Sequence, residues 1–224
     1  MDSGVLPRGL IVSCQAHGDH PLRDSAILSA LAVCAARGGA VGIRADAPQD
    51  IQKIREKVSL PIIGIYKVLL SGERFFITPT LEHARHIVAA GANIVALEAT
   101  FDNRPDERAL ADLIHQIHHQ LQVPVMADIS TLEEGLRAWK LGADFVGTTL
   151  SGYSSLSPRR ETPDLALTKQ LADVGVCVIA EGHVRTPQQA SELFHSGAYG
   201  VVVGTAITDP LAITSWFVAA MQGQ

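Results

Sequence analysis

The sequence predicts an α/β protein, a closed barrel of eight parallel strands alternating with helices, as a single domain over residues 1–224. Three observations carry this. First, four helix-like segments each end in a small-residue corner followed by a β-branched run: Gly39-Ala40, Gly91-Ala92, Gly142-Ala143 and Gly197-Ala198, spaced 52, 51 and 55 residues apart. A regular period of this kind is the mark of a repeated supersecondary unit. Second, the strands are almost wholly apolar rather than alternating, as a parallel sheet buried on both faces requires. Third, 47% of residues are hydrophobic but only 5% aromatic, a composition that suits a large aliphatic core and excludes disorder. A length of 224 residues is within the range of one barrel domain.

In chain order, the strand signals are Leu10–Ser13, Val41–Ile43, Ile62–Ile65 entered through Leu60-Pro61, Ile94–Ala96, Val125–Ala127 entered through Val123-Pro124, Phe145–Gly147, Cys177–Ala180 and Val201–Val203. The segments between them have helical spacing of apolar residues, as in Ile27/Leu31/Cys34, Leu110/Leu113/Ile114/Ile117 and Leu132/Leu136/Trp139. Start signals agree: Thr131 with Glu134 three residues on, Thr80 ahead of Glu82 and His83, and prolines at 48 and 187. An open doubly wound sheet is the competing architecture, but the repeat shows no change of direction and no glycine-rich dinucleotide turn.

Charge and cysteine content limit the function classes. Eighteen Lys and Arg against 23 Asp and Glu give a net charge of −5, without the basic footprint of a nucleic-acid partner. No apolar run reaches the roughly 18 residues of a membrane span, and the opening residues lack a cleavable leader pattern. Cys14, Cys34 and Cys177 are scattered through apolar runs and read as reduced, buried thiols of a cytoplasmic protein.

In a barrel of this kind chemistry gathers at the C-terminal strand ends. The residues expected there are Gln15, Arg44, Lys67, Glu98, Asp128, Thr148, Glu181 and Gly204, five of them ionisable. Charges converging on one rim perturb each other's proton affinities and mark an active site rather than a mere ion-pair ring. Lys67 is the sharpest candidate. To act as a base near neutrality its amine must fall about three units from about 10.4, roughly 4 kcal/mol of environmental work. Gly182 after the seventh strand and Gly204-Thr205 after the eighth lie where such barrels hold phosphate. The irregular stretch 152–163 is a candidate lid, or else a mobile surface loop. Paired histidines on outer helices (His83/His86 and His115/His118/His119) are surface residues in this reading. His17 and His20 can reach the mouth but have no third ligand, so no metal is expected.

Several strings then coincide in order: Ile11-Val12-Ser13-Cys14-Gln15-Ala16, Gly42-Ile43-Arg44-Ala45, Pro61-Ile62-Ile63-Gly64-Ile65-Tyr66-Lys67, Ile77-Thr78-Pro79-Thr80, Met126-Ala127-Asp128-Ile129-Ser130-Thr131 and Ala180-Glu181-Gly182 followed by Thr186-Pro187. From about residue 8 to 217 the chain resembles the N-acylglucosamine-6-phosphate 2-epimerase family. The resemblance implies a TIM barrel that interconverts N-acetylmannosamine 6-phosphate and N-acetylglucosamine 6-phosphate in sialic acid breakdown, without a metal or other cofactor, and as a homodimer. It places the catalytic lysine on Lys67, the catalytic carboxylate on Glu181, and substrate contacts on Gln15, Arg44 and Asp128. Two departures stand out: Glu98-Ala99-Thr100 where Asp-Ala-Thr is expected, and residues 101–105 where more basic residues are usual. Both bear on sugar recognition, and Glu98 is the substrate-contact candidate they affect. Two other readings compete: a Schiff-base phosphosugar or keto-acid lyase or aldolase using Lys67, and a non-catalytic phosphosugar-binding barrel.

Overall fold

The computed structural model describes residues 4–70 and 75–223. Eight parallel strands close into a barrel: β1 (Gly9–Cys14), β2 (Gly42–Asp46), β3 (Ile62–Ile65), β6 (Ile94–Glu98), β7 (Val125–Asp128), β8 (Phe145–Gly147), β9 (Val178–Ala180) and β10 (Gly200–Val203), with β10 returning to pair with β1. The register sets Ser13 beside Arg44 and Glu98 beside Asp128. The outer ring contains α1 (Ser25–Arg37), α2 (Pro48–Arg55), α3 (Leu81–Ala89), α4 (Glu107–Gln116, continued by a wide turn through Leu121), α5 (Leu132–Lys140), α6 (Leu165–Asp173) and α7 (Pro187–His195). After β10 come the single turn α8 (Thr205–Thr208) and the terminal α9 (Pro210–Gln222). Among the described residues no helix is long and apolar enough to cross a membrane.

The repeated corners work because each glycine takes a backbone that other residues avoid. Gly39, Gly91, Gly142 and Gly197 have φ of 94°, 111°, 100° and 109°, and only a residue without Cβ does this cheaply. The start signals also take physical form. Thr131 and Glu134, and Thr186 and Gln189, make reciprocal capping boxes on α5 and α7, satisfying helix-end N–H groups. Thr80 differs: its hydroxyl lies 2.8 Å from His83 Nδ1 instead of capping α3.

Alternation along the strands divides the core in two. Ile11, Ile63, Ile94, Met126, Phe145, Ile179 and Val202 fill the barrel interior with Leu6, while Ile43, Ile62, Val95, Val125, Val146 and Val178 face the helices. Both sets are apolar, which explains why the strands read as continuous hydrophobic runs. Continuing the inward row of each strand toward its C-terminal end reaches Ser13 and Gln15, Arg44, Lys67, Glu98, Asp128, Thr149, Glu181 and Gly204.

Two expectations are corrected. The third strand does not simply end at a loop: after β3 the chain forms an antiparallel hairpin, β4 (Lys67–Leu69) with β5 (Phe75–Ile77), whose register sets Lys67 opposite Ile77. No Gly or Pro marks the break at Tyr66, so the sequence carries no turn signal for the start of this hairpin. Cys34 is exposed on α1, whereas Cys14 is buried and Cys177 partly so. Burial pushes the thiols of Cys14 and Cys177 up to about 12 and about 11, so neither is a ready nucleophile.

Candidate active site

A cavity of about 830 Å³ opens at the C-terminal rim of the barrel. Gln15, Arg44, Lys67, Glu98, Glu181, Gly182, Gly204 and Thr205 all line it. Of the strand-end residues expected from sequence, Asp128 and Thr148 are missing from this wall. Both oxygens of Asp128 are occupied: Arg44 Nη1 and Nη2 donate to them at 3.1 and 2.5 Å, and Thr149 Oγ1 donates to Oδ1 at 2.7 Å. The carboxylate is fully buried. Asp128 therefore grips Arg44 from behind.

Arg44 is buried to 1% exposure and also meets Glu181, with Nη1 2.9 Å from Oε2. Burial opposes the charge on this guanidinium, but the carboxylates of Asp128 and Glu181 outweigh burial and hold its proton more firmly than usual. A fork between two carboxylates is the geometry in which a buried arginine is stable. Gly147 makes the space. A Cβ there would come within 2.3 Å of Met126 Cε and 2.8 Å of Asp128 Oδ1.

Thr149 Oγ1 also lies 3.0 Å from Glu181 Oε2, so its one hydrogen is shared between the two carboxyl groups. Burial pushes the Glu181 carboxyl above the ordinary range, assisted by the Asp128 charge and opposed mainly by Arg44. Thr148, the expected rim residue, is instead tied to the backbone of Glu181. Its hydroxyl donates to the carbonyl at 2.9 Å and accepts from the N–H at 3.0 Å. Thr149 takes the cavity position. Counting by twos from Phe145 through Gly147 would have found it, because alternate residues share a face.

Lys67 lies across the cavity on the hairpin. Its Nζ is 2.8 Å from Gln15 Oε1 and 2.9 Å from His17 Nε2; Gln15 is oriented by donating from Nε2 to Ser13 Oγ at 2.8 Å. Burial lowers the proton affinity of this amine, with Arg44 acting the same way and Asp46, Glu181 and Asp128 opposing. Asp46 is engaged locally, accepting the Lys67 N–H at 3.0 Å. His17, noted in the sequence only as able to reach the mouth, is thus a direct neighbour of the amine.

Glu98 is buried at the rim, where Thr100 Oγ1 and Asn103 Nδ2 donate to Oε1 at 2.6 and 2.7 Å. The departure in residues 101–105 thus supplies Asn103 as a partner for the longer carboxylate. Arg104 spans the same corner, donating to the carbonyls of Glu98, Thr78 and Pro79.

The expected lid is anchored. Gly152 N–H donates to Ser157 Oγ at 2.9 Å, Ser154 Oγ to Ser130 Oγ at 2.7 Å, and Ser155 N–H to Asp102 at 2.9 Å. These bonds tie the segment after β8 to the loops after β6 and β7, with Tyr153 stacked on His183 at 4.7 Å. At the Gly182 and Gly204 edge, Arg185 and Trp216 also line the cavity, the guanidinium lying 5.3 Å from the indole ring. Sequence reasoning passed over Arg185 because a single loop arginine carries no periodic or motif signal.

Residues 28–223 match the profile of the family described as "Putative N-acetylmannosamine-6-phosphate epimerase". The chain belongs to this epimerase family. It is 46% identical over 224 residues to a protein of Staphylococcus carnosus named "Putative N-acetylmannosamine-6-phosphate 2-epimerase", covering 98% of this chain and 100% of that one. A protein of the same name from Caldanaerobacter subterraneus is 46% identical over 215 residues, covering 95% and 91%. The solved structure of the N-acetylmannosamine-6-phosphate 2-epimerase from Clostridium perfringens superposes with a TM-score of 0.89 at 41% identity, covering 97% of this chain and 95% of that one. The family profile begins after β1, and the matches to these relatives extend over 95–98% of the chain.

Proposed function

We propose that residues 1–224 form one catalytic barrel that interconverts N-acetylmannosamine 6-phosphate and N-acetylglucosamine 6-phosphate by moving the proton on C2. The observation that carries this reading is geometric: the amine of Lys67 and the carboxyl of Glu181 line one cavity with a buried cation, Arg44, beside the carboxyl, and burial lowers the proton affinity of the amine and raises that of the carboxyl. Two titrating groups pushed in opposite directions are the arrangement of a base and an acid working together.

In the open-chain sugar the C2 hydrogen is next to the C1 aldehyde. Lys67 Nζ takes that proton, the C–H electron pair moves into an enolate over C2, C1 and O1, and the fixed positive charge of Arg44 opposes the developing negative charge. Glu181 delivers a proton to the other face of C2, directly or through a substrate hydroxyl. The configuration inverts and the atom count is unchanged. Gln15 and Glu98 are positioned to contact the sugar. Gly182, Gly204 and Thr205 are assigned to the phosphate, with Arg185 supplying the local cation that a chain of net charge −5 does not supply globally.

The resulting enzyme acts in amino-sugar breakdown in the cytoplasm and needs neither nucleic acid nor membrane as a partner. It is read as a homodimer through α9, where Leu211, Phe217, Val218 and Met221 are exposed by 53, 69, 45 and 86% and no side chain is charged. A helix apolar on all sides calls for a covering surface; sedimentation at micromolar concentration should give twice the chain mass of 23.9 kDa.

The direct test supplies N-acetylmannosamine 6-phosphate to the protein with a chelator and no added cofactor, and follows N-acetylglucosamine 6-phosphate by NMR. Product is expected. Failure to convert in either direction would overturn the reading.

A further inference from the structure

An unprotonated lysine amine has two N–H bonds and one lone pair. Around Lys67 Nζ there are two acceptors at hydrogen-bond distance, Gln15 Oε1 at 2.8 Å and His17 Nε2 at 2.9 Å. Gln15 presents its oxygen because its nitrogen donates to Ser13. On the far side of the imidazole, His17 Nδ1 faces Asp46 Oδ2 at 3.6 Å, a carboxylate that favours the hydrogen on Nδ1 and so leaves Nε2 as an acceptor. The ring is backed by Phe75 of the hairpin at 5.4 Å.

We infer that His17 is a positioning residue for Lys67: together with Gln15 it takes the two N–H bonds of the free amine, which leaves the lone pair to point into the cavity. This rests on the reading of Lys67 as the base that exchanges the C2 proton. Positioning matters because a lysine side chain rotates freely about its terminal bond, and a lone pair turned away from C2 removes no proton, however low the amine's proton affinity.

The imidazole keeps this role at neutral pH. Burial, then the charges of Lys67, Arg23 and His20, lowers the His17 proton affinity to about 4, with Asp46 facing it from β2. His17 is therefore neutral near pH 7. The groups acting on Lys67 are Asp46, Arg44, Glu181 and Asp128.

The test compares kcat and KM from pH 6 to 9.5 for the wild-type protein, H17F, H17Q and K67M. In H17F a ring remains but the acceptor is lost; in H17Q an oxygen is placed near the former Nε2. We expect H17F to lose about 10- to 100-fold in kcat on the high-pH plateau with KM within about threefold, and H17Q to recover most of it. Wild-type kcat in H17F, or recovery of its kcat simply on raising the pH, would overturn the inference, since the second result makes His17 a tuner of proton affinity. So would an H17Q no better than H17F. K67M separates the two levels: an inactive K67M with an unimpaired H17F removes only the role of His17, whereas an active K67M removes the proposed base itself.

Discussion

The two cations at the rim of this barrel are handled in opposite ways. Arg44 is enclosed by carboxyl groups on β7 and after β9, with two bonds to Asp128 and one contact to Glu181. Lys67, on the hairpin side, has a neutral amide and a neutral imidazole as its nearest polar atoms. Burial acts against charge at both sites; what differs is whether carboxylates outweigh it. One corner therefore holds a permanent charge and the other a group able to let its proton go, and an enolate-forming reaction needs both.

Removing the exchangeable corner should have the largest effect. Lys67→Met is expected to reduce kcat by about 10³-fold or more while leaving substrate binding by calorimetry nearly unchanged, because general-base catalysis contributes about 10²- to 10⁴-fold. Breaking the permanent corner should appear first in stability. Asp128→Ala leaves Arg44 buried with only Glu181, and loss of one partner of a buried pair costs about 3 kcal/mol. At roughly 2–4 °C per kcal/mol for a domain of this size, calorimetric melting should fall by about 6–12 °C. An unchanged melting temperature would mean the clamp is not structural.

A smaller effect is expected where the phosphate is assigned. Arg185→Ala should raise KM about tenfold with little change in kcat, as for loss of a contact made equally in ground and transition states. A fall in kcat alone would move Arg185 into the chemistry. The smallest effect concerns His17 and pH. Its proton affinity in the folded state is depressed from 6.5 to about 4, so between those values the unfolded chain binds more protons and stability falls as the solution is acidified. Thermal melting of H17Q should lose less than wild type between pH 6.5 and pH 4. An identical slope would show that the folded state does not depress the imidazole.

The barrel was legible because its units repeat: each left-handed corner glycine and each apolar strand recurs with the same physical cause, so an error in one unit is checked by the next. The rim charges were legible for a related reason, since five ionisable residues following apolar strands are too costly to be accidental. The features that were missed belong to single places. The hairpin after β3 breaks the unit pattern without Gly or Pro at its start. Asp128 and Thr148 have the right strand-end positions, but whether a side chain meets the cavity or a neighbour depends on packing across strands, which Gly147 opens and Thr149 fills. His17 and Arg185 lie in loops, where spacing carries no signal.

The central claim is proton exchange at C2 by Lys67, and turnover of N-acetylmannosamine 6-phosphate in heavy water tests it most directly. Product formed by the wild-type protein should carry deuterium at C2, and E181Q should let label enter the recovered substrate faster than product appears. Product from the wild type that retains its original C2 hydrogen would contradict the account.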